Sequence, residues 1–170
     1  MSETSIVLRL VTGTPAELEV IDAIARDSFE DAGFSAAKEL ERPWARVWIA
    51  RPEGEGSLPN AFLVAWHVAD ELHILNIATV PAMRRRGLGT ALMTVALEYA
   101  AEGGVRLILL EVRRSNQDAR RFYKKLGFSV MGVRAGYYAD NGEDAIEMTL
   151  ELDPATGRVV PGKDEIRIDV

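Results

Sequence analysis

The stretch VPAMRRRGLGTALM, Val80 to Met93, sets three consecutive arginines ahead of Gly87-Leu88-Gly89 and then runs into an apolar segment. A strand-like run, ELHILNIATV, precedes it, so the local order reads strand, short loop, helix. The first amides of a helix have no internal partner, and the helix dipole concentrates partial positive charge there. Glycine lets a ligand approach the backbone with no Cβ in the way. A diphosphate fits such a start. Arg84, Arg85 and Arg86 can add charge-assisted bonds to phosphate oxygens. A plain solvated turn ahead of a helix can carry the same glycine pair. The dinucleotide and P-loop forms fail on detail, because the third glycine and the lysine followed by Ser or Thr are absent.

Working outward, the spacing predicts a strand at Ser5–Val11 and a helix from Pro15, with Thr14 as cap and Glu17 closing a capping box. Leu18, Ile21, Ala25 and Ser28 line one face of that helix, widened by Val20 and Ile24. A shorter helix follows Ser35, a strand spans Ala45–Ala50, and RPEGEGSLPN reads as a hairpin loop. Two strands then meet tightly near Asp70 and Glu71. The helix that begins at Gly87 runs to about Glu102, with Leu88, Leu92, Val95 and Tyr99 at helical spacing. Val105–Val112 is a buried strand. A short helix follows, capped by Ser115 or Asn116, with Ala119, Phe122, Tyr123 and Leu126 inward and Gly127 at its end. Two last strands are joined through ADNG.

The order β-α-α-β-β-β-α-β-α-β-β implies an α/β chain whose central sheet is mixed, mostly antiparallel, with helices on both faces. Residues 1–153 form the domain, and 154–170, with two prolines and glycines, read as a C-terminal surface tail.

With 170 residues, 48% of them hydrophobic, the chain can bury one core. A formal net charge of −6 opposes partners such as nucleic acid or an anionic membrane. The absence of cysteine removes thiol nucleophiles, thiolate metal sites and disulfides. Two histidines, His67 and His73, are too few for a histidine metal site; they are expected to face each other across a hairpin and are assigned no role. No apolar run reaches membrane-spanning length and the start lacks a signal-peptide core, so the expected compartment is cytoplasmic.

Arg84-x-x-Gly87-x-Gly89 after LNIATVPAM resembles the coenzyme A signature of the GNAT superfamily of N-acetyltransferases. LEVRRSNQDARRFYKKLGF (Leu110–Phe128) and GYYADNGEDAIEMTLEL (Gly136–Leu152) resemble the RimI-type ribosomal-protein alanine N-terminal acetyltransferases. The likeness is strong from about Glu71 to Leu152. The tail after Asp153 departs from it, and GFS at Gly33–Ser35 is the best match to the family's Pro-Trp-Ser.

The resemblance implies the GNAT fold and transfer of acetyl from acetyl-CoA, without a metal, to the N-terminal α-amine of a protein or peptide. A ribosomal protein is an implied partner. A monomer or weak homodimer is expected. Ile77, Ala78 and Thr79 would hold the pantetheine arm; Arg85, Arg86, Gly87, Leu88, Gly89 and Thr90 the diphosphate; Asn116 the cofactor as well. Glu111 corresponds to the family's base and Tyr123 to its acid. Phe29, Phe34, Tyr137 and Tyr138 would line the acceptor pocket.

Each assignment has a purely structural counterpart. Glu111 sits among apolar residues near a strand end and can reach solvent or Arg113; Tyr123 can be a core tyrosine; Asn116 a simple helix cap; Tyr137 and Tyr138 ordinary strand pairing. Three other readings stay open: acetylation of a small amine or a lysine side chain, a non-catalytic acetyl-CoA-binding module, and a nucleic-acid patch at the arginines.

Overall fold

The computed structural model describes residues 4–29 and 33–168. In chain order the elements are β1 (Ser5–Leu10), α1 (Pro15–Ser28), α2 (Ala36–Glu41), β2 (Ala45–Pro52), β3 (Ala61–Val68), β4 (Glu71–Thr79), a single 3-10 turn (Pro81–Met83), α3 (Leu88–Glu102), β5 (Leu107–Arg113), α4 (Gln117–Lys125), β6 (Ser129–Tyr138), β7 (Glu143–Leu152) and β8 (Val159–Val160). The expected order is present, with the 3-10 turn and β8 added. The eight strands pair mostly antiparallel, with β4 and β5 parallel. The chain divides into two compact units, the first running to His67 and resuming over Leu75–Tyr99, the second comprising Val68–Ile74 and everything from Ala100.

In the first unit β1, β2 and β3 are antiparallel neighbours. Their core is a cluster in which Ile21, Ile24 and Ala25 of α1 join Val47, Ile49, Phe62 and Val64. The capping box forms as its spacing requires: Glu17 N–H donates to Thr14 Oγ1 at 3.2 Å and Thr14 N–H to Glu17 Oε2 at 2.9 Å. A buried acid, Glu39, is satisfied by Trp66 Nε1–H at 2.8 Å and by Arg42. Tyr99 receives Arg46 Nε–H at 2.7 Å and bonds His67 Nδ1 at 2.7 Å. The buried stripe of α3 is Leu88, Leu92, Met93, Ala96 and Ala100, while Val95 and Tyr99 are half-buried. The buried residues step by four from Leu88 through Leu92 and Ala96 to Ala100, with Met93 beside them, in place of the 4-3-4 spacing of the expected set.

In the second unit β4 pairs Glu71–Ile74 with Leu107–Leu110 of β5, in parallel. β5 and β6 flank β7, both antiparallel to it. Burial alternates strictly along β5. Ile108, Leu110 and Val112 are nearly inaccessible, and the strand's period of two puts Leu109, Glu111 and Arg113 on the opposite face. Pairing of β6 with β7 slips between Val130 and Gly132 and again between Arg134 and Tyr138.

Residues beyond Asp153 are tied to this unit by specific bonds. β8 pairs with Glu151 and Leu152. Asp164 Oδ1 accepts from Val130 N–H at 2.8 Å, its other oxygen pairs with Lys124, and Glu165 N–H donates to Val130 O at 2.9 Å. Gly157 has φ +70°, and a Cβ there would stand 2.9 Å from Ala101 Cβ, so only glycine lets the segment pass α3 this closely. Among the described residues no helix is long and apolar enough to cross a membrane.

Candidate active site

The loop between β4 and α3 carries two left-handed residues, Arg85 at φ +59° and Gly87 at φ +82°. A Cβ on Gly87 would meet nothing within 4 Å, so conformation and not space calls for glycine. Two positive-φ residues one apart, just ahead of a helix start, let backbone N–H groups converge on an anion in the manner of a nest. Ala91 N–H already donates to Gly87 O at 3.0 Å, so the helix starts at this point and its first amides stay unpaired within it. Arg84, Arg85, Arg86, Gly87 and Thr90 are exposed, Gly89 is half-buried, and Leu88 anchors the turn in the core. Arg84 Nε–H reaches back to Thr79 O at 3.3 Å. Ile77 and Thr79 are half-buried and Ala78 is buried in the first unit's core.

Glu111 lies on the β5 face opposite the core, with its side chain 9% exposed. His73 Nε2 stands 2.6 Å from Glu111 Oε2. Arg134 Nη2 is 3.9 Å from Oε1, and Arg134 Nε–H also donates to Glu147 Oε1 at 2.6 Å. Gly132 makes room for this row, since a Cβ there would come within 2.8 Å of Glu147 Oε2. The bond from His73 holds the Glu111 carboxyl below its ordinary range; burial works the other way, and the charges of His73 and Arg134 add to the lowering. Glu111 is therefore ionised near neutrality. An ionised carboxylate only accepts, which assigns the shared proton to His73 Nε2. Arg113, two residues on, bonds other groups: Asp140, Asn141 and Glu143.

Tyr123 is buried in α4, its ring 5.2 Å from that of Phe122 and 5.7 Å from that of Phe128. Burial pushes its hydroxyl far above the usual tyrosine value, so the phenol keeps its proton at neutral pH. Asn116 is the helix cap, its Oδ1 accepting from Ala119 N–H at 3.1 Å. That bond uses the oxygen and leaves the amide NH2 for other work.

Tyr137 is 45% exposed and packs edge-on against Tyr138, with centroids 5.1 Å apart. Burial and then the Glu111 charge raise Tyr137, so its phenol senses that carboxylate. Tyr138 is pushed up to about 12, mainly by burial. Phe29 and Phe34 pack against the first unit's core, Phe34 lying 5.5 Å from the ring of Phe62. Residues 30–32 between them, part of the expected acceptor loop, lie outside the described residues.

The second unit thus brings Glu111 and Tyr137 within electrostatic reach of each other, with His73, Arg134 and Glu147 around the carboxylate. Those three partners were not read from the sequence. His73 and Glu111 are 38 positions apart, and only the parallel register aligns them. The exposed nest at Gly87 suits an anion of diphosphate type, and the adjacent arginines suit its charge. Among the described residues no group of His, Asp and Glu is placed to hold a metal ion. A cavity of about 360 Å³ between α4 and the C-terminal segment is lined by none of the residues the sequence singles out.

Residues 17–128 match the profile of the acetyltransferase (GNAT) family. The chain is 35% identical over 141 residues to the ribosomal protein bS18-alanine N-acetyltransferase of Escherichia coli K12, covering 74% of this chain and 95% of that one. The crystal structure of the ribosomal-protein-S18-alanine N-acetyltransferase from Escherichia coli superposes with a TM-score of 0.70 at 28% identity, over 87% of this chain and 94% of that one. Ard1 from Thermoplasma volcanium gives 0.72 at 26% identity, over 93% and 99%.

Proposed function

The chain belongs to the acetyltransferase (GNAT) family, and we propose that it moves acetyl from acetyl-CoA to the N-terminal α-amine of a protein, with a ribosomal protein as acceptor class. The observation that carries the acid–base part is the His73–Glu111 bond, which keeps a sheltered carboxylate ionised at neutral pH. The relatives named for alanine N-acetylation support the acceptor class.

Acetyl-CoA supplies the acetyl group as an activated thioester. Arg85 to Thr90 hold its diphosphate through helix amides and guanidinium groups, Ile77, Ala78 and Thr79 offer backbone partners to the pantetheine arm, and the Asn116 amide adds one more contact. An α-amine has a pKa of about 7.7–8.0, against about 10.4 for lysine, so a good share of it is already neutral at physiological pH. Glu111 takes the remaining proton at Oε1, directly or through one water, while His73 fixes Oε2. Tyr123 holds its proton at the phenolic oxygen for the departing sulfur. Tyr137 and Tyr138 shape the acceptor side. Orientation of the two substrates supplies much of the acceleration.

Thiol release from acetyl-CoA, measured on Ala-, Ser- and Met-initiated peptides with free and blocked N-termini, tests this. Turnover should require the free terminus. Equal rates on blocked peptides that carry lysine would replace the proposal with side-chain acetylation.

A further inference from the structure

Tyr138 closes β6 against a cation. The Arg113 guanidinium lies 3.9 Å from its ring centroid. The same group donates to Asp140 Oδ2 at 2.7 Å, and to Asn141 Oδ1 and Glu143 Oε2 at 3.3 Å each, all in or beside the β6–β7 turn. Glu143 turns its other oxygen to the N–H of Ser115 at 2.8 Å, immediately before the cap of α4. One side chain at the end of β5 therefore grips the turn bearing Tyr137 and Tyr138. Through a single carboxylate it also reaches the start of the helix bearing Tyr123.

A lone surface ion pair would need none of this. A planar fork stacked on a ring and edged by three acceptors fixes direction as well as charge. Arg113 is also two residues from Glu111 on the same strand face. The turn is thus fastened to the strand that presents the carboxylate.

We propose that Arg113 is a positioning residue for the acceptor: it fixes the Tyr137–Tyr138 side of the acceptor site against the Glu111 strand and so sets where the incoming N-terminal residue is held. This rests on the functional reading above. Lysine at this position keeps the charge but cannot lie flat on the ring while serving three acceptors.

Arg113→Lys should raise the KM for a free-N-terminus peptide at least tenfold, leave kcat within threefold and leave acetyl-CoA affinity within twofold. An unchanged peptide KM, or an equal loss for both substrates, overturns the proposal. In a Tyr138→Leu background the same change should raise KM by less than it does in the wild type, since the ring contact is already gone; full additivity overturns it. Asp140→Asn, in the turn itself, should raise peptide KM about threefold and serves if Arg113→Lys folds poorly; no change there counts against the proposal. Hydrogen exchange separates this idea from the functional one. Amides of residues 136–144 should exchange at least tenfold faster in Arg113→Lys while β5 keeps its wild-type rate. Unaltered exchange overturns the clamp, even for a protein that acetylates no peptide.

Discussion

His73 Nε2 lies 2.6 Å from Glu111 Oε2 across the parallel junction of β4 and β5. The register sets His73 opposite Leu109, so Glu111 is its diagonal neighbour on the same face. The pair differs from a surface ion pair in that the carboxylate is nearly enclosed, with 9% of its side chain exposed. Its hydrogen bonds, not solvent, decide its protonation.

Glu111→Gln should lower turnover at pH 7 at least tenfold with acetyl-CoA affinity nearly unchanged, as expected for loss of a general base. Wild-type turnover in this variant would remove Glu111 from the mechanism. Stability gives a second readout. The folded carboxyl sits below its ordinary value of 4.5, so its contribution is fully present above pH 4.5 and is lost as pH falls through the lower folded value. The stability advantage of wild type over Glu111→Gln, followed by urea unfolding, should shrink below pH 4.5.

Tyr123→Phe removes one buried oxygen and little volume. Turnover should fall at least tenfold while the melting temperature moves by only a few degrees, because the ring keeps its packing against Phe122 and Phe128. A large loss of stability with normal turnover would make the hydroxyl structural and not the acid.

Gly87→Ala tests the nest. No neighbour obstructs the new methyl, yet an L-residue at φ +82° is strained, by about 1–2 kcal/mol. Relief of that strain would turn the amides away. Urea unfolding should register the cost, and acetyl-CoA affinity should fall at least threefold. Unchanged affinity would place the diphosphate elsewhere.

Asp164→Asn tests the C-terminal fastening. Burial alone would raise this carboxyl, but Lys124 and the Val130 amide outweigh it and hold it low. Its contribution is therefore present above pH 3.8 and disappears as pH falls through the depressed value. Asp164 is a third exposed, so the loss at pH 7 should be small, about 0.2–1 kcal/mol, and smaller still in high salt. A loss that ignores salt would show that the Val130 bond, not the ion pair, matters.

Local signals were readable in the chain. Thr14 and Glu17 are three residues apart, and Ser35 and Asn116 cap the helices they precede. Each is decided within one turn of backbone. The strands declared themselves as short apolar runs. What escaped depends on pairing between distant strands. β8 is two residues long and exists only because β7 offers an edge. The partners of Glu111 come from β4 and β6, and those of Arg113 from the turn after β6. The burial of Tyr123 follows from its place on the inner face of α4.

The two slips in β6 also bear on how the molecule keeps to itself. This strand pairs with β7 on one side and displays Met131, Val133 and Tyr137 at 40%, 38% and 45% exposure. A straight apolar edge of this kind would template strands from other molecules. Broken register, a left-handed Gly136 and the Arg134 charge leave no long run of amides for a foreign strand to zip onto. The irregularity that interrupts pairing with β7 therefore also makes this edge a poor template for fibrous self-assembly.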